Sequence, residues 1–191
     1  YTKIGVCHYH LNNNDLALDA LNKAILLDFT SDVAYFHLAL LKLRTGDANE
    51  AISLFEQAIV INDSLEEYYI EYAKALESVG RNVEAKKIFI KATETAPELK
   101  EIWIEYLQFL LRRKNFKSIV PVIDEAEMYA LCTELLYFRA ICLFYQNQKS
   151  AALDMLNEAL IEDGSYVHLI KDAKKMYQDK DITALLLLYK S

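Results

Sequence analysis

An all-α solenoid of stacked helix pairs is the fold this sequence predicts, and three observations predict it. Tyr1, Tyr35, Tyr69, Trp103 and Tyr137 follow one another at intervals of 34 residues, the kind of self-similarity that marks repeat architectures. Small residues recur with the same period at Ala17, Ala51 and Ala85, and again at Ala152 after a break at Ile119. The chain has only Gly 4 and Pro 2 in 191 residues, too few turn formers for a sheet protein of this size.

Each unit then reads as two antiparallel helices joined by a short turn. The first, residues 1–31, opens on Tyr1 and Ile4, turns at Asn12-Asn13-Asn14-Asp15, and continues through Ala17, Leu21 and Ala24. The second, 32–65, repeats the design from Tyr35 and Leu38 through Thr45-Gly46-Asp47 to Ala51, Phe55 and Ala58. Gly46 supplies a helix stop and Asp47 an acidic start. The third, 66–99, runs from Tyr69 and Tyr72 through Val79-Gly80-Arg81-Asn82 to Ala85, Phe89 and Ala92, and ends near Pro97. In the fourth, 100–133, Trp103 and Tyr106 precede Ile119, Ile123 and Ala126, with Pro121 expected in the first turn of the second helix. The fifth, 134–166, holds Tyr137, Ala140, Ala152, Leu156 and Ala159, and loses one residue near Asn147–Ser150. From 167 to 191 the pattern weakens into a cap. An amphipathic helix is expected over Val167–Gln178, then a last one capped by Asp181 and carrying Leu185, Leu186, Leu187 and Leu188. That segment reads as a degenerate sixth unit, or as a leucine surface for a partner or a second copy.

Hydrophobic residues make up 53% of the chain, enough for one continuous core, which isolated helix pairs cannot build alone. The net charge of −7 and the absence of a Lys/Arg-rich run argue against nucleic-acid binding. Cys7, Cys132 and Cys142 are odd in number and widely spaced, which suits a reducing, cytoplasmic compartment rather than a disulfide framework. No signal peptide or membrane segment is expected in this stretch. The chain opens at Tyr1 inside a helix, and is read as a piece of a longer protein.

The columns together resemble the tetratricopeptide repeat, W-x2-L-G-x2-Y…A-x3-F-x2-A…P, over residues 1 to about 165. Units two and three match best; the fourth departs most, through Ile119 and Pro121, and is also similar to the half-a-tetratricopeptide repeats of RNA-processing scaffolds. The resemblance implies a right-handed superhelix whose first helices line a concave groove. On that reading the groove columns hold Phe36, Ile70, Ile104 and Phe138; Leu40, Lys74 and Gln108; and Arg44 and Arg112. The family's Lys and Asn clamp for chaperone tails is not present as a set, so such tails are not expected ligands.

Beside that apolar floor stand Glu67, Glu71, Glu101 and Glu105. Glutamates one turn apart on neighbouring helices repel one another unless a cation approaches. The groove is therefore expected to take a protein or peptide with apolar anchors and basic groups. The plainer alternative is a solvated acidic face over residues that merely pack. An oligomerisation or regulatory segment of a larger enzyme or secretion machine, and an RNA-processing scaffold, remain as other functions.

No catalytic, cofactor or metal site is expected. His8 and His10 flank Tyr9 near Cys7, but residues two apart on a helix point to different sides. Neither a phosphate-binding loop, a nucleophile elbow nor a two-histidine zinc motif occurs.

Overall fold

A computed structural model describes residues 1–189, except for the side chain of Lys117; the last two residues of the expected cap lie outside the described residues. Helices follow one another in consecutive packed pairs, with no strand among the described residues, and the architecture is an all-α solenoid. The pairs are α1 (Thr2–His10) with α2 (Asn14–Leu27), α3 (Asp32–Thr45) with α4 (Ala48–Ile61), and α5 (Glu66–Ser78) with α6 (Asn82–Thr95). After them come α7 (Lys100–Arg112) with α8 (Phe116–Tyr129) and α9 (Thr133–Tyr145) with α10 (Lys149–Glu162). A 3₁₀ turn at Gly164–Tyr166 leads into α11 (Val167–Asp172), α12 (Lys174–Tyr177) and α13 (Lys180–Leu188). The chain divides into two compact units, Tyr1–Ala96 and Pro97–Ser191, each described below by itself.

The turn inside every pair is built the same way. Asn12, Gly46, Gly80, Lys114 and Asn147 all take positive φ, between 54° and 95°. The next residue then donates its backbone N–H to a carbonyl five positions back, as in Asp47 to Lys42 (2.8 Å) and Asn115 to Leu110 (3.0 Å). This closure caps carbonyls left over at the end of the first helix. Asp47 occupies the cap position of α4, yet its side chain makes no capping bond; the start of the second helix is set by the backbone turn. The residue missing from the fifth repeat is taken from the end of α9, just ahead of Asn147, rather than from Asn147–Ser150.

In unit 1 the small columns are fully enclosed: Ala17, Ala51, Ala85 and Ala58 expose no surface, nor do Leu21, Phe55 and Phe89. A fully buried phenylalanine contributes roughly 1.5–3 kcal/mol over an exposed one. Gly5 belongs to this packing too, since a Cβ there would stand 2.6 Å from Leu21 Cγ.

Unit 2 keeps the period with different contents. Ile119 fills the small position and is itself fully buried. Trp103 is buried, donates its indole N–H to Pro97 O (2.7 Å) and stacks parallel to Tyr129. Tyr137 donates its hydroxyl to Asp163 O (2.7 Å). Pro121 lies inside α8, in its second turn rather than its first, because the helix already begins at Phe116. The single helix expected over Val167–Gln178 is broken at Ala173, whose ψ is 64°. With the break, Leu169, Ile170, Ala173 and Met176 are all buried. The cap of α13 is Asp179, not Asp181: its Oδ1 accepts the backbone N–H groups of Asp181 and Ile182 (3.0 and 3.4 Å). Of the four leucines, Leu186 is buried while Leu187 and Leu188 are exposed.

Candidate functional site

The first helices of unit 1 carry the expected groove residues of α3 and α5, and the structure sorts them by accessibility. Phe36 and Ile70 are buried at 2% and 8% exposure. They do not form an open apolar floor, because both are already enclosed: Phe36 stacks on Tyr68 (4.4 Å) and leans on Phe55 (5.7 Å). Leu40 is half-buried and Glu67 is exposed. Glu71 is half-buried and already holds a cation, Lys74, at 3.3 Å one turn along α5. Arg44 is engaged as well. Its guanidinium lies 3.7 Å above the Tyr9 ring and donates to Tyr9 O at 2.8 Å, tying α3 to α1.

A ring cluster that the sequence pattern does not announce sits across α1 and α3. Tyr9, His10 and His37 lie with centroids 5.3–6.2 Å apart, all edge to face, and His37 continues to Phe36 at 5.4 Å. His37 donates from Nδ1 to Val33 O (3.0 Å). Burial holds its imidazole below the usual histidine range, against that hydrogen bond; the neighbouring His10 lowers it further while Glu67 opposes. The ring is therefore neutral at pH 7 with a carboxylate nearby. The signal available in the sequence is the stacking of successive first helices, which sets the end of α1, with Tyr9 and His10, beside His37 of α3. Taking each histidine within its own helix hides that meeting.

In unit 2, Phe138 is fully buried and so is packed rather than presented, while Ile104, Glu105 and Gln108 are half-buried and Glu101 is exposed. Arg112 is exposed at the end of α7. At the start of α9 the carboxylate of Glu134, only 6% exposed, takes a 2.9 Å hydrogen bond from Lys100. Burial acts to raise its pKa, but the Lys100 hydrogen bond and charge prevail and hold it below the usual carboxylate range. Cys142 and Cys132 are pushed up by burial to about 12 and about 11, which leaves both as thiols at neutral pH. Among the described residues, no group of three or more His, Cys, Asp or Glu side chains is arranged to hold a metal ion. His8 lies 3.5 Å from the Asn13 side chain.

The family model of the tetratricopeptide repeat matches residues 1–31 and 33–64, the first two helix pairs. Those two pairs are similar to tetratricopeptide repeats. The array continues past the matched residues, since the turn geometry and period carry on through α10. Solved structures share its fold at low identity. YrrB, described as a TPR protein with an unusual peptide-binding site, is 20% identical with a TM-score of 0.61, covering 91% of this chain and 90% of that one. PilF of Pseudomonas aeruginosa is 15% identical with a TM-score of 0.71, covering 99% and 86%. MamA is 13% identical with a TM-score of 0.72, covering 86% and 97%. No curated protein sequence matches significantly. Tetratricopeptide arrays are interaction scaffolds whose stacked repeats leave extended surfaces for other chains, and no helix among the described residues is long and apolar enough to cross a membrane.

Proposed function

We propose that this chain is a non-catalytic interaction module, and that the first-helix side of unit 1 takes a segment of another protein bearing basic and apolar side chains. The observation that carries the reading is the exposed carboxylate of Glu67, whose charge acts on the half-buried His37 ring, with the exposed His10 ring set against that ring. A Lys or Arg side chain can lay its stem on such rings and reach a carboxylate with its head. Leu40, half-buried one turn beyond His37, offers apolar contact beside them. Glu71 joins the site by exchanging part of its bond to Lys74 for the incoming cation. Glu101 and Glu105 repeat the same columns in unit 2 and are proposed to offer the same chemistry there, with Ile104 and Gln108 alongside. YrrB, similar in fold, is a protein described as having a peptide-binding site, and this supports a peptide as the class of ligand. The three cysteines are free, which suits a reducing, cytoplasmic setting.

The test is fluorescence anisotropy with an end-capped peptide containing two arginines and one leucine, titrated at low salt. Glu67→Lys/Glu71→Lys is expected to weaken it at least about tenfold and to slow association. Unchanged affinity of the double reversal at low salt refutes the acidic site. Acidification is a second readout. His37 stays neutral to a lower pH than an ordinary histidine, so affinity holds through about pH 6.5 and falls only at lower pH, as the His37 imidazole acquires charge.

A further inference from the structure

The C-terminal unit carries a groove of the opposite sign. Where the end of α7 and the turn after it face α11 and α12, five cations line one continuous depression: Arg112, Lys114, Lys171, Lys174 and Lys175. Asp172 is the one carboxylate in its lining. The depression has two lobes, of about 290 and 550 Å³, which share Leu111, Arg112, Asp172 and Lys174. Phe116 and Tyr145 form one wall, stacked on each other at 4.1 Å and 17°. Lys175 reaches over the Tyr145 ring at 6.0 Å.

We propose that this groove binds a short acidic segment of a partner protein, with carboxylates on the lysines and an apolar side chain between Leu111 and the ring wall. This surface is independent of the one in unit 1. Three features select the occupant. Lys114, Lys171, Lys174 and Lys175 are exposed and make no ion pair among the described residues. A collection of like charges held around a low-dielectric wall focuses a positive field and draws an anionic ligand. The lobes match a few side chains rather than a long polymer. The rest of the chain disfavours nucleic acid: net charge is −7, so a polyanion running out of the groove meets repulsion. The rings are also occupied mainly with each other, which makes them a wall and not an open stacking platform.

Lys171, Lys174 and Lys175 flank Ala173, itself buried at 2% at the break between two short helices, and all three line the same depression. The site joins the end of α7, the turn after it and the rings of Phe116 and Tyr145 to the segment that follows the array.

The probe is a rhodamine-labelled, end-capped peptide of four glutamates around one leucine, titrated into the full chain and read by anisotropy. Binding is expected to weaken with added salt, and Lys174→Glu/Lys175→Glu to lower affinity by roughly tenfold or more. Lys86→Glu/Lys87→Glu on α6, the same change of charge in unit 1, is expected to stay within about twofold. Lys174→Gln/Lys175→Gln serves as the milder variant, expected between the two, with far-UV circular dichroism reporting that each variant keeps its helices. Equal loss in the α6 variant, or unchanged affinity in both groove variants, overturns the proposal. So does a short oligouridylate that binds the groove when the peptide does not. If the lysines merely complement the helix ends, their reversal lowers the melting temperature and leaves peptide affinity as it was, which also overturns it.

Discussion

In the pair α3–α4 the residues at the two small positions are Ala39 and Ala51, both with no exposed surface. In α7–α8 the same register positions, two periods further along the chain, hold Leu107 and Ile119, equally buried. Helix backbones approach closely only where side chains are small, and α7 and α8 accordingly lie less closely apposed than the other regular pairs. The difference teaches that the repeat requires filled space, not alanine as such. Two large residues can hold a pair together at greater separation.

The sharpest way to break this comparison is to exchange the contents of the two pairs. Ile119→Ala leaves a cavity between helices already held apart and is expected to cost about 2–5 kcal/mol, read as a drop in melting temperature and urea midpoint. Ala51→Ile forces α3 and α4 apart and is expected to cost roughly 1–3 kcal/mol. If the alanine substitution proves harmless, the wider spacing of α7–α8 owes nothing to Ile119.

A second contrast concerns charge at the helix starts. In unit 1, Asp32 at the start of α3 accepts neutral hydrogen bonds from Asn62 (2.7 Å) and the Tyr68 hydroxyl (3.2 Å). In unit 2, the buried Glu134 is held by Lys100 instead. Lys100→Met is expected to cost about 1–3 kcal/mol at pH 7, discounted for the partial exposure of the lysine. Because the folded-state pKa of Glu134 is depressed, its contribution is present above the ordinary carboxylate pKa and is lost as pH falls through the lower folded value. Without the lysine, burial raises that pKa, and the carboxyl takes up a proton as the pH falls toward about 4. The deficit of the variant is therefore expected to shrink between about pH 7 and pH 4, measured as the difference in urea midpoint. A deficit independent of pH would mean that Lys100 acts by packing alone.

The smallest effects test the turns. Gly46 and Lys114 play the same left-handed role at φ 95° and 54°. A Cβ at Gly46 meets nothing within 4 Å, so Gly46→Ala is a backbone penalty only, expected at about 1 kcal/mol. Lys114→Gly is expected to gain roughly 0.5 kcal/mol, relief of strain offset by added chain entropy. Equal and opposite shifts in melting temperature would show instead that the two turns are interchangeable.

Much of the fold was legible. Period, pairing and the turns at Asn12, Gly46 and Gly80 follow from residue type, because helix contacts repeat along the chain and glycine and asparagine tolerate left-handed backbone. Lys114 was not legible as a turn residue, since a lysine adopts that conformation only when the helices on either side impose it. The groove residues are only partly legible, for a related reason. Column position says which side of a helix a residue occupies, but not how deeply its neighbours cover it, so Phe36, Ile70 and Phe138 read as a floor and are in fact interior. Arg44 read as a ligand contact and instead clamps Tyr9.

By itself the sequence determined the repeat: a side chain at one position in a helix pair meets the same environment 34 residues later, and that recurrence needs no coordinates. Tertiary structure decided where charge collects. The short basic stretches Arg112–Lys114 and Lys171–Lys175 are each ordinary in the chain, and a single groove lined by both exists only because the fold brings the last helices beside the end of α7. Electrostatic fields sum over distance in space, whereas a pattern read along the chain sums only over neighbours in order.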